Sequence, residues 1–248
     1  MKRAILTITR NSSHIFKYFI QSYQEYCDRD AYNLVICDNN SREGDWEYLK
    51  TYADDGTIDL ITRLEANYLF TYSTNLLMDL AKDHDNYDQY IIVNPDIEFR
   101  EGWDVDLDDN KGIMGFVLVK PGGSIEHAGG YGGGDHVGRG EIDRPDKFTE
   151  IREVDWVTFG AVAIAKPVLE KVGHLNEDFA HFGSDREYCR RAREAGFTVS
   201  CSPSRLTHSY GYSTRPYVWR DVPDEIWKKM VEERRGSGVY FPSRQEDF

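Results

Sequence analysis

YIIVNPDIEF, residues 90–99, joins a continuous apolar run to an acidic turn. Tyr90, Ile91, Ile92 and Val93 predict a strand buried on both faces, because no polar residue alternates with them. Pro95 has no N–H to give to a ladder, so the strand should end at Asn94-Pro95-Asp96. Asp96 then lies just past the carboxyl end of a buried strand, where open α/β sheets hold their ligands. Asn, Pro and Asp also make ordinary surface turns. The stretch alone does not separate the two readings.

Upstream of it, strands and helices alternate. Ala4–Thr9 predicts a first strand, and Ser12 or Ser13 is placed to cap a helix with Phe16, Phe19, Ile20 and Tyr23 at helical spacing. Asn33–Cys37 is a second strand that breaks into Asp38-Asn39-Asn40-Ser41. A helix over Asp45–Ala53, a strand over Ile58–Thr62 and a helix over Tyr72–Lys82 complete the approach to Tyr90. This order predicts βαβ units and a mainly parallel sheet. Neither GxGxxG nor GxxxxGK[ST] is present.

Downstream, Ile113–Val119, Asp155–Ala165 and Phe197–Cys201 predict strands, while Lys166–Val172, Asp185–Ala195 and Pro223–Arg234 predict helices. Between the first two strands lies a stretch with seven glycines between Gly129 and Gly140. It reads as a mobile segment, either a flexible linker or a lid over a site. Arg190, Arg191 and Arg193 read as a solvated helix face.

The chain has 248 residues, enough for one large domain or two small ones. A net charge of −13 argues against a nonspecific nucleic-acid binder, which needs a basic face, but leaves room for a local basic cleft. Cys27, Cys37, Cys189 and Cys201 form no CxxC pair, so reduced thiols are expected rather than disulfides or a zinc site. No signal-peptide core is visible, and no apolar run approaches the roughly 18 residues of a membrane span. The expectation is a soluble, cytoplasmic protein.

Four segments taken in order resemble the family 2 glycosyltransferases of GT-A fold, particularly the rhamnosyltransferase-like branch that carries NPD in place of DxD. TITRN and VICDNNS resemble that family's nucleotide-holding strand ends, and IIVNPDIEF resembles its metal motif with Asn94 in the first acidic position. VDWVTFGAVAIAKPVLEKVGHLNEDF, followed by HFGSDREYCRRAREAGF, resembles its acceptor segment and ED motif, with Ser184 in place of Glu and Asp185 retained. THSYGYS resembles its HxxGxS segment. The resemblance covers about residues 4–213.

The resemblance implies an α/β fold of GT-A type, a Rossmann-like mixed, mainly parallel sheet flanked by helices. It implies a glycosyltransferase domain over residues 1–213, with a nucleotide-binding half to about residue 100 and an acceptor-binding half after it. Residues 214–248 would be a C-terminal extension. The implied activity is metal-dependent, inverting transfer of a hexose or deoxyhexose from a UDP-, GDP- or dTDP-linked donor to a hydroxyl of a glycan, a lipid-linked sugar or a modified base. A nucleic-acid acceptor stays open, as does the oligomeric state. A non-catalytic sugar-nucleotide-binding module and a retaining transferase are the other readings.

The implied roles follow residue by residue. Asp96 and His208 would hold Mn²⁺ or Mg²⁺ with diphosphate oxygens and water, since a leaving diphosphate needs a hard divalent cation. A solvated loop is the other reading of His208. Asp38 would accept hydrogen bonds from the base or ribose, or else form an Asx turn. Thr9, Arg10, Asn67, Asn94 and Arg139 would meet the nucleotide sugar, Arg139 from the GRGEID segment after the glycines. Trp156 and Gly160 would meet the sugar or acceptor, with core packing open for Trp156. Asp185 would be the base, or a helix cap. In NYLFTYSTN the resemblance leads one to expect NxGxxxxxN, and the glycine is absent.

Overall fold

The computed structural model describes residues 1–132, 134–209 and 221–234. Four strands, β1 (Arg3–Thr9), β2 (Tyr32–Asp38), β3 (Leu60–Arg63) and β4 (Gln89–Val93), alternate with helices α1 (Ser13–Tyr26), α2 (Glu43–Asp54) and α3 (Leu69–His84). All four strands are parallel, in the order β3-β2-β1-β4. The chain thus runs to one side of β1 and returns on the other. The loops after β1 and β4 flank the point where the order reverses, which opens a crevice at the strands' carboxyl ends.

The second half extends the same sheet. It contains β5 (Ile97–Glu98), β6 (Ile113–Val119), β7 (Ile125–His127), β8 (Gly130–Tyr131), β9 (Asp135–His136), β10 (Arg152–Glu153) and β11 (Ala161–Ala165). Helices α4 (Lys166–Val172) and α5 (Ser184–Glu194), strand β12 (Val199–His208) and helix α6 (Asp224–Arg234) follow. β11 enters antiparallel between β4 and β6, and β12 lies parallel to β6 on its far side. The sheet is mixed and mainly parallel.

Alternate side chains of each strand feed the two faces. Leu6, Val35 and Ile92 pack with Leu77, Met78 and Ala81 of α3 and with Tyr188 and Ala192 of α5. Ile5, Ile36, Ile91 and Val93 pack on the other face with Phe16, Phe19, Ile20 and Tyr23 of α1. The run at Tyr90 is buried along its whole length, as its composition predicts. All four cysteines are free and buried. No helix among the described residues is long and apolar enough to cross a membrane.

Three segments depart from the sequence expectation. Only Ala161–Ala165 of the strand expected over Asp155–Ala165 is extended in the sheet. The residues before it bond elsewhere: Gly130 N–H donates to Trp156 O, Thr158 N–H to His127 Nε2, and Asn94 N–H to Gly160 O. Their backbone leaves the ladder to wall the crevice. The strand expected to end at Cys201 runs on to His208, with a shift of register between Cys201 and Arg205. The glycine-rich stretch is a folded wall and not a linker. β7 pairs with β6, and β8 pairs with β9. Arg205 clamps Asp143 through Nε at 3.0–3.1 Å. Gly130 is needed there because a Cβ would sit 2.2 Å from the Trp156 ring. Tyr210–Ser213 of the THSYGYS segment, and all of the C-terminal extension except residues 221–234, lie outside the described residues.

Candidate active site

A cavity of about 230 Å³ opens where the strand order reverses. Thr9 and Arg10 reach it from the end of β1, and Asn94, Pro95 and Asp96 from the end of β4. Asn67, Gly160 and Asp185 complete the sequence-predicted residues on its lining. Sequences scattered over almost the whole first 185 positions therefore meet at one place. The cause is topological: each follows a strand end or helix start on the same edge of the sheet.

β5 explains how His208 joins them. Its two residues pair antiparallel with the end of β12, Ile97 opposite His208, and Ser209 N–H donates to Asp96 O at 2.9 Å. His208 Nε2 then lies 3.1 Å from Asp96 Oδ1, and its Nδ1 lies 2.5 Å from Glu126 Oε2 on β7. Burial disfavours the imidazolium, but the carboxylates on either ring nitrogen outweigh it and raise the His208 pKa to about 10. Among the described residues no group of three or more His, Cys, Asp or Glu side chains is placed to hold a metal ion. The pair nevertheless fits a cation brought by a substrate. Adjacent ligands about 2.1 Å from an octahedral metal stand about 3.0 Å apart, and Mg²⁺-type sites take one or two protein ligands with phosphate oxygens and water. Glu126 on Nδ1 would fix the tautomer that presents Nε2. Glu98 lies beside this pair in β5, opposite Thr207.

Asp185 occupies the second position of α5, after Gly183, whose φ of +79° turns the chain into the helix. It is therefore not the cap residue, and its side chain lines the cavity. Burial raises its pKa, while the N–H groups of Arg186 and Phe159 and the Arg186 charge pull the other way. A carboxylate held by backbone donors yet drawn upward by burial is suited to take up a proton. Ser184, which replaces the expected Glu, is buried.

At the other end of the cavity Asp38 is wholly buried beneath its own loop. Ser41 N–H donates to Oδ2, Arg63 Nε stands 3.4 Å from Oδ2, and Oδ1 has no partner. Burial raises its pKa against the pull of Ser41, Arg63 and Arg10. Asn39, not Asp38, reaches the cavity lining, and its Nδ2 donates to Asn67 Oδ1 at 2.8 Å. Arg10 donates to Asn39 O and Asn40 O and pairs with Asp221 at 3.1 Å. Leu69 occupies the position where the sequence resemblance leads one to expect glycine, and its φ is still +60°. Its side chain is held against Ala180 and Val222, which offsets a left-handed backbone costing about 1–2 kcal/mol. Leu69→Gly should therefore exceed Leu69→Ala in stability by about 1 kcal/mol in urea unfolding, although both lose packing.

Two expected contacts are not brought together with the rest. Arg139 is exposed on the turn after β9 and is not on the lining. Trp156 is buried behind the wall against His127 and His136, which is the core-packing alternative. Glu126, Asn39 and His181 are on or beside the site without having been singled out. Asn39 carried a signal, since it belongs to the same polar strand end as Asp38. Glu126 carried none, because its partner is 82 residues away.

No family model matches the chain, and no curated protein matches it. Solved structures do. GalNAc-T7 with UDP, GalNAc and Mn²⁺ superposes with a TM-score of 0.68 at 15% identity, over 94% of this chain and 48% of that one. The mannosyltransferase PcManGT from Pyrobaculum calidifontis, in complex with GDP-Man and Mn²⁺, gives 0.61 at 13% identity over 87% and 59%. S. aureus TarS 1–349 with UDP gives 0.60 at 12% identity over 96% and 72%. The chain spans about half the length of the first of these and under two thirds of the second. The likeness covers nearly all of this chain, and the chain has the GT-A fold of these glycosyltransferases.

Proposed function

We infer that the chain is a metal-dependent inverting glycosyltransferase that moves a hexose or deoxyhexose from a nucleotide-linked donor to an acceptor hydroxyl. The observation that carries this reading is that Asp96, in contact with His208, and Asp185 line one cavity on the switch point of a GT-A sheet. Similar solved structures hold UDP, GDP-Man or Mn²⁺, which supports a nucleotide-sugar donor here.

Asp96 and His208 would hold the divalent ion, Mn²⁺ or Mg²⁺, which supplies charge neutralisation for the departing diphosphate. Thr9, Arg10, Asn39, Asn67 and Asn94 line the space in which the nucleotide sugar would be oriented. Thr9 Oγ1 is buried with no partner, a group left over for a ligand. Asp38 would reach a base or ribose through Oδ1 once its loop shifts. Asp185 takes the proton of the attacking hydroxyl, and Gly160 leaves open the space between Asn94 and His208. Glu126 holds His208 in place. Glu126→Gln should therefore weaken Mn²⁺ binding by about 10–100-fold in calorimetric titration with the nucleotide present.

The test is a thermal-shift panel of UDP-, GDP- and dTDP-linked sugars with and without Mn²⁺, followed by product analysis of the best donor. One nucleotide class should raise Tm in a Mn²⁺-dependent way, with about 2.7 kcal/mol of added stability at a hundred times Kd. The transferred sugar should carry the anomeric configuration opposite to that of the donor. A panel without any stabilising donor, or a product of retained configuration, would sink the reading.

A further inference from the structure

Trp156 is buried behind the wall, so another surface must meet the acceptor, and the cavity carries one. Phe70, His181 and Phe182 all lie on its lining, and each is half-buried. The Phe70 and His181 ring centroids are 6.3 Å apart with planes at 88°, and those of His181 and Phe182 are 4.4 Å apart at 84°. The three rings therefore form a corner and not a stack. The corner is anchored from behind. Phe70 packs on the core that holds Leu77 and Tyr188, and Phe182 packs on Leu69, Ala180 and Val222. Thr71 N–H donates to Ala180 O at 3.1 Å, and Thr71 Oγ1 donates to Phe179 O. These bonds tie the start of α3 to the loop that carries His181 and Phe182.

Half-buried apolar rings grouped on a cavity mark a binding surface. His181 and Phe182 directly precede the Gly183 bend from which α5 delivers Asp185. We propose that Phe70, His181 and Phe182 form the acceptor platform, and that it takes an uncharged pyranose by its C–H face. This rests on the reading of Asp185 as the base, since the hydroxyl it deprotonates belongs to a molecule lying beside it. A pyranose lays its apolar C–H face on a ring and keeps its hydroxyls at the edge, within reach of a carboxylate. Charge narrows the choice further. Among the described residues of the lining, Arg10 supplies the one guanidinium or ammonium group, and it already donates to Asn39 O and Asn40 O and pairs with Asp221. Asp96 and Asp185 bring carboxylates to the same space. An acceptor with its own carboxylate or phosphates would meet like charge here, and the net charge of −13 adds to the repulsion of a nucleic acid.

The test is an acceptor panel run with the donor that Mn²⁺-dependent stabilisation selects. It holds methyl glycosides of neutral hexoses, methyl glucuronide, and a single-stranded oligonucleotide with a hydroxymethylated base. The parent should use a neutral glycoside with a kcat/KM at least about tenfold above that of the glucuronide. Phe182→Leu keeps an apolar filler against Ala180 and Val222 but removes the ring. It should raise acceptor KM about five- to tenfold, the worth of one ring contact, with donor affinity unchanged in calorimetry. Phe182→Tyr, which keeps the ring, should stay within about twofold of the parent. Phe70→Leu should raise acceptor KM in the same way, and it serves as the reporter if Phe182→Leu does not fold. Several outcomes would overturn the proposal: an unmoved acceptor KM in either leucine variant, equal losses in Phe182→Leu and Phe182→Tyr, or a parallel fall in donor affinity. Preference for the glucuronide or the oligonucleotide, or no transfer to any neutral glycoside, would do the same. Asp185→Asn separates the two levels. If it transfers as the parent does, the base assignment fails, whereas if it abolishes transfer while the ring variants leave acceptor KM unmoved, only the platform fails.

Discussion

Asp96→Ala should reduce metal-dependent transfer by at least about 10³-fold at ordinary Mn²⁺ concentrations. Lewis-acid stabilisation of a leaving group is worth several kcal/mol, and each 1.36 kcal/mol is a factor of ten. Of the two side chains proposed as ligands only Asp96 offers carboxylate oxygens, so His208 alone cannot retain a hard cation against water. The fold should survive. The Asp96 carboxylate bonds His208, which keeps Glu126 on its other nitrogen. Asp96→Asn, nearly the same shape, should melt close to the parent and lose transfer to a similar degree. Transfer that persists in both variants at micromolar metal would remove Asp96 from the proposed site.

Asp185→Asn should bind donor and metal as the parent does, yet lose about 10²–10⁴-fold in kcat, the range attached to a general base. The expected split between kcat and donor KM follows from geometry. Asp185 reaches the cavity from the α5 start, while the Asp96–His208 pair is held together by the β5–β12 pairing. Asn keeps an acceptor for the Arg186 N–H, so the local backbone should hold. Calorimetry of donor binding beside single-turnover kinetics distinguishes this from a structural role. A fall in donor affinity with unchanged single-turnover rate would return Asp185 to the status of a helix-start carboxylate.

The sheet was legible where burial leaves its mark on consecutive residues. Ile91, Ile92 and Val93, and likewise Ile113–Val119, have no polar interruptions because both of their faces are covered. Helix α1 was legible through the spacing of four aromatic and aliphatic residues that all turn inward. Two-residue strands such as β5 and β8 have no periodicity to read, since their partners alone define them. The Trp156–Gly160 stretch failed for a related reason: its composition suits a strand, but His127 and Gly130 compete for its backbone groups. At the site, Asp96 and His208 were found as separate residues with an expected meeting, which the β5–β12 pairing brings about. Glu126 was invisible because a Glu between Ile125 and His127 is marked by nothing local.

The β5–β12 pairing also bears on the order in which the molecule becomes complete. Asp96 and His208 are separated by 112 residues, so the contact between them closes a long loop. During synthesis the first four parallel strands can assemble long before His208 has been made, since chains fold from the N-terminus as they emerge. β4 must then wait with one edge unpaired until β11, about seventy residues later, arrives to cover it. The Asp96–His208 contact comes later still. A nascent or truncated polypeptide that stops short of His208 would carry the strand ends around the cavity without the Asp96–His208 pair.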